Sequence, residues 1–158
     1  MAEYLAECIR RLESFAPEQG WAPRRRVVTS ENGKSYVLPL VGQKRTAVYK
    51  IDGEAIVDGR KCDKLVLVND PTVGAAIFVE LKGKDIEHAI GQLEATMEHP
   101  LFRAVMPAKE IVRARIVTAG CGPASDARKA LDKAKIRFVQ KFGCDLRIIK
   151  SRQPDAAV

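Results

Sequence analysis

Glu80 and Lys82 stand two residues apart at the end of the run AAIFVELKG. If that run is a strand, alternation sets Ile77, Val79 and Leu81 on one face and Phe78, Glu80 and Lys82 on the other. An acid and an amine beside Phe78 are costly to bury unless they have a task. A carboxylate there can hold a hard divalent cation. A lysine two residues on can orient a water, help deprotonate it, or neutralise charge at a phosphorus. A second acid, Asp63, opens the apolar run CDKLVLVND. If the two runs pair antiparallel through the turn at 69–74, Asp63 faces residues 79 to 81. The plainer reading is a solvated strand face with a cross-strand ion pair, and Asp63 as a turn residue. Asp52 in KIDG and Asp58 in VDGR are rival acids, and both read as turns.

These residues need a scaffold, and hydropathy spacing supplies one. Leu5, Cys8, Ile9, Leu12 and Ala16 share a helical face over 3–16, closed by Pro17 and Gly20. RRRVVTS and KSYVLPLV flank Asn32-Gly33, a hairpin signal. Pro39 weakens the second of these strands or places it at an edge. RTAVYKIDG and CDKLVLVND are further strands. Over 85–98 the period changes: Ile86, Ala89, Ile90, Leu93 and Met97 line one helix face, with Asp85 as N-cap and Pro100 as stop. EIVRARIVTAG alternates as a strand, with Ile111, Arg113, Arg115 and Val117 on one side. Ser125 opens a helix that ends near Gly143, and DLRIIKS is a last strand. The expected fold is α/β: a mixed central sheet flanked by helices, one domain over 1–158, with the tail 152–158 frayed.

Hydrophobic residues make up 46% of the 158, enough for a real core. No run is long and apolar enough for a membrane span, and the acids within MAEYLAECIRRLESFA argue against a signal peptide. Cys8, Cys62, Cys121 and Cys144 are scattered without a CxxC, which argues against structural zinc and suits free thiols in a cytoplasmic protein. His88 and His99 read as surface histidines, and no glycine-rich phosphate loop is present. The net charge of +7 favours an anionic partner. Arg24, Arg25 and Arg26, and Lys129 and Lys133 with Arg128, Lys135, Arg137 and Lys141, are positioned to track phosphates; a solvated face is the alternative for any one of them. Trp21, just before the arginines, could stack on a base or simply pack.

An acid at a strand start, an acid-x-Lys on the next strand, then an amphipathic helix resembles the PD-(D/E)xK phosphodiesterase superfamily. The matching residues are Asp63, then Glu80-Leu81-Lys82, then Gln92, within 49–97. Cys62-Asp63 stands where many members have Pro-Asp. The resemblance implies a restriction-endonuclease-like core, α-β-β-β-α-β, with an extra C-terminal helix and strand. It implies that the carboxylates of Asp63 and Glu80 and the carbonyl of Leu81 bind Mg²⁺, with Mn²⁺ as substitute. Lys82 would sit by the attacking water, and Gln92 would reach toward the site. An acid of the N-terminal helix is often a further ligand; Glu3, Glu7 and Glu13 compete for that place. The implied activity is metal-dependent endonucleolytic hydrolysis, of DNA in preference to RNA, with a homodimer or partner protein supplying specificity. Two other expectations stand beside it: an inactive module of the same fold that binds nucleic acid or a protein, and a structural protein whose Glu80–Lys82 pair is only an ion pair.

Overall fold

A computed structural model describes residues 3–53, 55, 56, 59, 61–81, 85–103, 110–120 and 122–158. The elements are α1 (Glu3–Leu12), β1 (Gln19–Glu31), β2 (Lys34–Lys50), β3 (Lys64–Asn69), β4 (Ala75–Glu80), α2 (Ile86–Glu98), β5 (Ile111–Thr118), α3 (Ser125–Phe142) and β6 (Cys144–Lys150). One sheet takes the strands in chain order, antiparallel from β1 to β4 and parallel from β4 to β6. The two parallel steps are made by α2 and α3 as crossovers. The fold is thus mixed α/β, as the spacing predicts.

Local signals explain the elements. Asn32 and Gly33 both take positive φ, 54° and 73°, which closes the β1–β2 hairpin as a two-residue turn matched to strand twist. Asp85 caps α2 by accepting from the backbone N–H of His88 at 3.1 Å. Gly143, at φ 59°, ends α3 with its N–H on the carbonyls of Phe138 and Val139. At the start of α1 the Glu110 carboxylate accepts from the Leu5 N–H at 2.8 and 3.0 Å, placing negative charge at the helix's positive end.

The sheet separates two apolar layers. On one face α1, α2 and α3 pack against Leu65, Leu67, Ala76, Phe78, Val112, Ala114 and Ile116. The opposite face carries no helix among the described residues. Instead the β1–β2 hairpin covers it: Val27, Tyr36, Leu38 and Leu40 pack on Val66, Val68, Ile77, Val79 and Val117. The hairpin can do this because its register breaks between Arg24↔Lys44 and Arg26↔Pro39, where β2 holds extra residues and Gly42 takes φ 74°. KSYVLPLV and RTAVYKIDG, expected as separate strands, are therefore two halves of one 17-residue strand bent at that point. Four strands therefore precede α2, one fewer than the five runs read from spacing and one more than the core implied by the resemblance, and the described helices all lie on one face. α1 closes at Leu12, short of Ala16.

The tail corrects the expectation most sharply. Residues 152–158 are not frayed; they run along the free edge of the first half of β2. Arg152 N–H donates to Ser35 O at 2.9 Å, Asp155 N–H to Val37 O at 2.9 Å, and Val158 N–H to Pro39 O at 3.1 Å; Val41 N–H donates back to Val158 O at 2.7 Å. Asp155 is buried and accepts from Tyr36 Oη at 2.6 Å and from Arg115 Nε at 2.8 Å. Arg115 has no exposed surface and also donates to the Asp145 carbonyl at 2.6 Å and its carboxylate at 3.0 Å. Arg113 reaches the Ala156 carbonyl at 2.6 Å. A buried guanidinium needs fixed acceptors for its donors, and the tail supplies them.

Candidate functional site

Asp63 sits one residue before β3, 1% exposed. Its N–H donates to Val79 O at 3.1 Å, and its carbonyl accepts from Ile51 N–H at 2.9 Å. Its backbone therefore stitches the end of β2 to β4. The register Lys64↔Val79 sets it opposite the end of β4, where the sequence places it. Its Oδ2 accepts from the Leu81 N–H at 2.7 Å. That amide belongs to the peptide joining Glu80 to Leu81, so the Asp63 carboxylate lies against the backbone of the second motif. Glu80 ends β4, fully buried on the Phe78 face, as alternation predicts.

The helix that follows is anchored to the same spot. Thr96 Oγ1 donates to the Gln92 carbonyl and accepts from the Cys62 N–H, both at 2.7 Å. One turn of α2 is thereby docked on the Cys62-Asp63 segment. Gln92, half-buried, belongs to that turn. Structure thus brings together Asp63, Glu80, Leu81 and the Gln92 turn. Lys82 and Asp58 lie outside the described residues. Asp52 pairs with Lys61 at 3.8 Å.

The site holds charges that sequence spacing does not reveal. Glu31, at the hairpin tip, has its carboxyl pushed up by burial, then by the Asp63 charge and a hydrogen bond with Asp63. It lies 3.7 Å from Lys50 Nζ. Lys64, almost fully buried, contacts Glu18, which also accepts from Thr29 Oγ1 at 2.9 Å. The folded-over hairpin delivers Glu31, so no contiguous motif could have announced it. Two of the acids in and beside α1, Glu7 and Glu13, take no such place. Glu7 is held by Arg10 at 2.6 Å and Arg11 at 2.7 Å, which lower its pKa, and Glu13 is exposed. The Glu3 side chain lies outside the described residues. Among the described residues no group of three or more His, Cys, Asp or Glu is arranged to hold a metal ion.

The basic residues divide. Arg24 braces the hairpin base, with donors on Thr46 O at 2.7 Å, Thr46 Oγ1 at 3.0 Å and Gly20 O at 2.8 Å. These bonds give it a structural role at the hairpin base. Arg25, Arg26, Lys129 and Lys133 are exposed. Arg137 and Lys141 pair with Glu94 at 2.8 and 3.2 Å. His88 is exposed, and His99 Nδ1 accepts from the Leu101 N–H at 3.1 Å.

Cys8, Cys62 and Cys144 are buried free thiols; Cys121 lies outside the described residues. Burial pushes Cys8 and Cys144 up to about 12. Burial raises Cys62 as well, and the Glu80 charge adds to it. The thiolate is the reactive form, so these thiols should be inert. In a Cys121→Ser variant at pH 8, Ellman's reagent is expected to titrate no thiol in the native protein and all three after unfolding in urea. A thiol that reacts promptly under native conditions would contradict this packing.

No helix among the described residues is long and apolar enough to cross a membrane. No family model matches the chain, and neither a curated protein nor a solved structure matches it.

Proposed function

We propose that this chain is a metal-dependent phosphodiesterase of restriction-endonuclease-like architecture acting on nucleic acid, with DNA preferred to RNA. The observation that carries the reading is the 2.7 Å bond from the Leu81 N–H to Asp63 Oδ2. It gathers a strand-start acid and the Glu80-Leu81 pair at one end of two adjacent strands, with the α2 turn of Gln92 docked beside them. The donors fit the ion: two carboxylates and the Leu81 carbonyl are hard oxygen ligands of the type Mg²⁺ or Mn²⁺ takes. When bound, such a cation supplies an acidified water and offsets the charge developing at phosphorus. Asp63 and Glu80 would hold it, and the Leu81 amide fixes the Asp63 rotamer. Lys82 would orient the attacking water, and Gln92 would steady the site from α2. Arg25, Arg26, Lys129 and Lys133 would follow the phosphate backbone. A homodimer or partner protein would narrow the choice of substrate.

The burial of both acids, 0% and 1% exposed, favours a second reading: an inactive module that keeps the fold and binds nucleic acid or a protein. One experiment separates them. The chain is incubated with Mg²⁺ or Mn²⁺ and linear duplex, single-stranded and branched DNA, and RNA, beside Glu80→Ala and Lys82→Ala. Metal-dependent cleavage lost in both variants is the expected result. Cleavage surviving both would place the chemistry elsewhere. Salt-sensitive binding without cleavage would select the module. Neither binding nor cleavage would leave Glu80 and Lys82 as a structural pair.

A further inference from the structure

We infer that the groove between α1 and the start of β1 binds an unpaired base of single-stranded nucleic acid; this rests on the nucleic-acid reading proposed above. The groove measures about 520 Å³. That is within the roughly 300–1,000 Å³ range of small-molecule sites. Its walls are Trp21, Phe15, Tyr49 and Ile9, and its polar lining is Arg10 and Glu13. Trp21 and Phe15 are half-buried, so their rings are fixed by the core yet open to the groove. Rigid aromatic faces suit stacking on any base, and a nearby carboxylate accepts from exocyclic amino groups.

Charge and position identify the occupant. The chain is +7 overall. Arg10 is exposed at the groove and Arg25 is exposed on β1, four residues after Trp21. That spacing is about 13 Å along a strand. Arg10 already spends its Nε and Nη2 on Glu7, so a base in the groove would bring its backbone phosphates chiefly toward Arg25. A purely apolar peptide segment would instead desolvate Arg10 and Glu13 without return. The groove also shares the sheet face of the candidate site. Tyr49 pairs with Leu65, two residues after Asp63, and both are in the helix-side core. Two residues are about 7 Å along the strands. Trp21 lies between the pairs Gln19↔Val48 and Ala22↔Thr46, two strands from Asp63, so a nucleotide held there would be a few nucleotides, roughly 16 Å, from the phosphate beside Asp63 and Glu80.

Trp21 is the only tryptophan, so its emission reports the groove directly. The protein is titrated with oligodeoxycytidylate and oligocytidylate in chelator, where no metal-dependent cleavage occurs. Saturable quenching that weakens with salt is expected, and the two oligomers tell DNA from RNA. With labelled oligomer, anisotropy should show Trp21→Leu binding about 5- to 100-fold more weakly and Trp21→Phe nearly as the parent. Arg25→Ala should lower the salt slope by about 1. Urea unfolding of Trp21→Leu checks that the variant is folded. Absence of quenching, or unchanged affinity in folded Trp21→Leu, would overturn the assignment. So would an emission change driven by protein concentration or by an apolar peptide alone, which would give the groove to a second copy or a protein partner. Quenching without cleavage under any metal would sink the nuclease reading and leave the groove standing. Glu80-dependent cleavage of single strands without quenching would do the reverse.

Discussion

Asp63→Asn is expected to lower the proposed metal-dependent cleavage by about 100- to 1,000-fold, because the amide is a weaker ligand for the cation that would stabilise the transition state, a loss on the scale of removing one preorganised electrostatic contact. The side chain keeps its size, and its carbonyl oxygen can still accept the Leu81 N–H that Asp63 Oδ2 takes at 2.7 Å. The ends of β3 and β4 should therefore remain joined. Stability should move by less than about 1 kcal/mol, since the substitution also relieves repulsion between Asp63 and the neighbouring Glu31. Single-turnover cleavage at saturating Mg²⁺ and urea unfolding on the same preparation read the two effects. Cleavage within a few-fold of the parent would remove Asp63 from the chemistry. A loss of cleavage matched by a collapse of the unfolding midpoint would assign it a structural role only.

Asp155→Ala is expected to cost about 3–5 kcal/mol, the scale for removing one partner of a buried ion pair. The variant leaves Arg115, with no exposed surface, short of the carboxylate that accepts its Nε–H at 2.8 Å. It also strips Tyr36 Oη of its acceptor. Against a total of about 5–15 kcal/mol, that is a large fraction. With a urea slope of about 1–3 kcal/mol per molar, the midpoint should fall by at least about 1 M. Tyr36→Phe removes one charge-assisted bond and should cost less. A shift under about 1 kcal/mol for Asp155→Ala would show the tail to be an ornament on an already stable sheet. The pair has a pH signature too. Burial alone would raise the Asp155 carboxyl, but Tyr36 and Arg115 outweigh it and hold it below its ordinary value. Its contribution is therefore complete above about pH 4 and is lost as pH falls through the lower native value. The parent should lose stability more steeply than Asp155→Ala in that acid range.

Most elements were legible because their signals are local. Asn32-Gly33 specifies its turn, Asp85 its cap, and the spacing of Ile86, Ala89, Ile90, Leu93 and Met97 its helix face. The placement of Asp63 against residues 79–81 followed from one short turn and a period of two. What escaped was long-range. The tail RQPDAAV is short, polar and small, so by local propensity it frays. It is ordered by Arg113 and Arg115, more than 35 residues earlier. The clue was present: two arginines on the Val117 side of a core strand need acceptors, by the same reasoning that singles out Glu80. Glu31 escaped for a related reason. Its approach to Asp63 depends on the fold of a long hairpin across the sheet, which no local pattern encodes. The bracing role of Arg24 escaped as well, because its bonds to Thr46 and Gly20 depend on the hairpin's fold.

The docking of the tail on β2 has a consequence during synthesis. Tyr36 and Asp155 are 119 residues apart in the chain. At about 5–20 residues per second, a ribosome needs about 6–24 s to travel from one to the other. For that interval the first half of β2 has emerged without its edge partner, and YVLPLV is an apolar, β-prone stretch open to a neighbouring nascent chain. Pro39 lies in the middle of it and has no N–H to offer. The finished fold uses only the Pro39 carbonyl, as acceptor for Val158. The residue thus breaks the template while the edge waits and leaves intact the bond that eventually closes it.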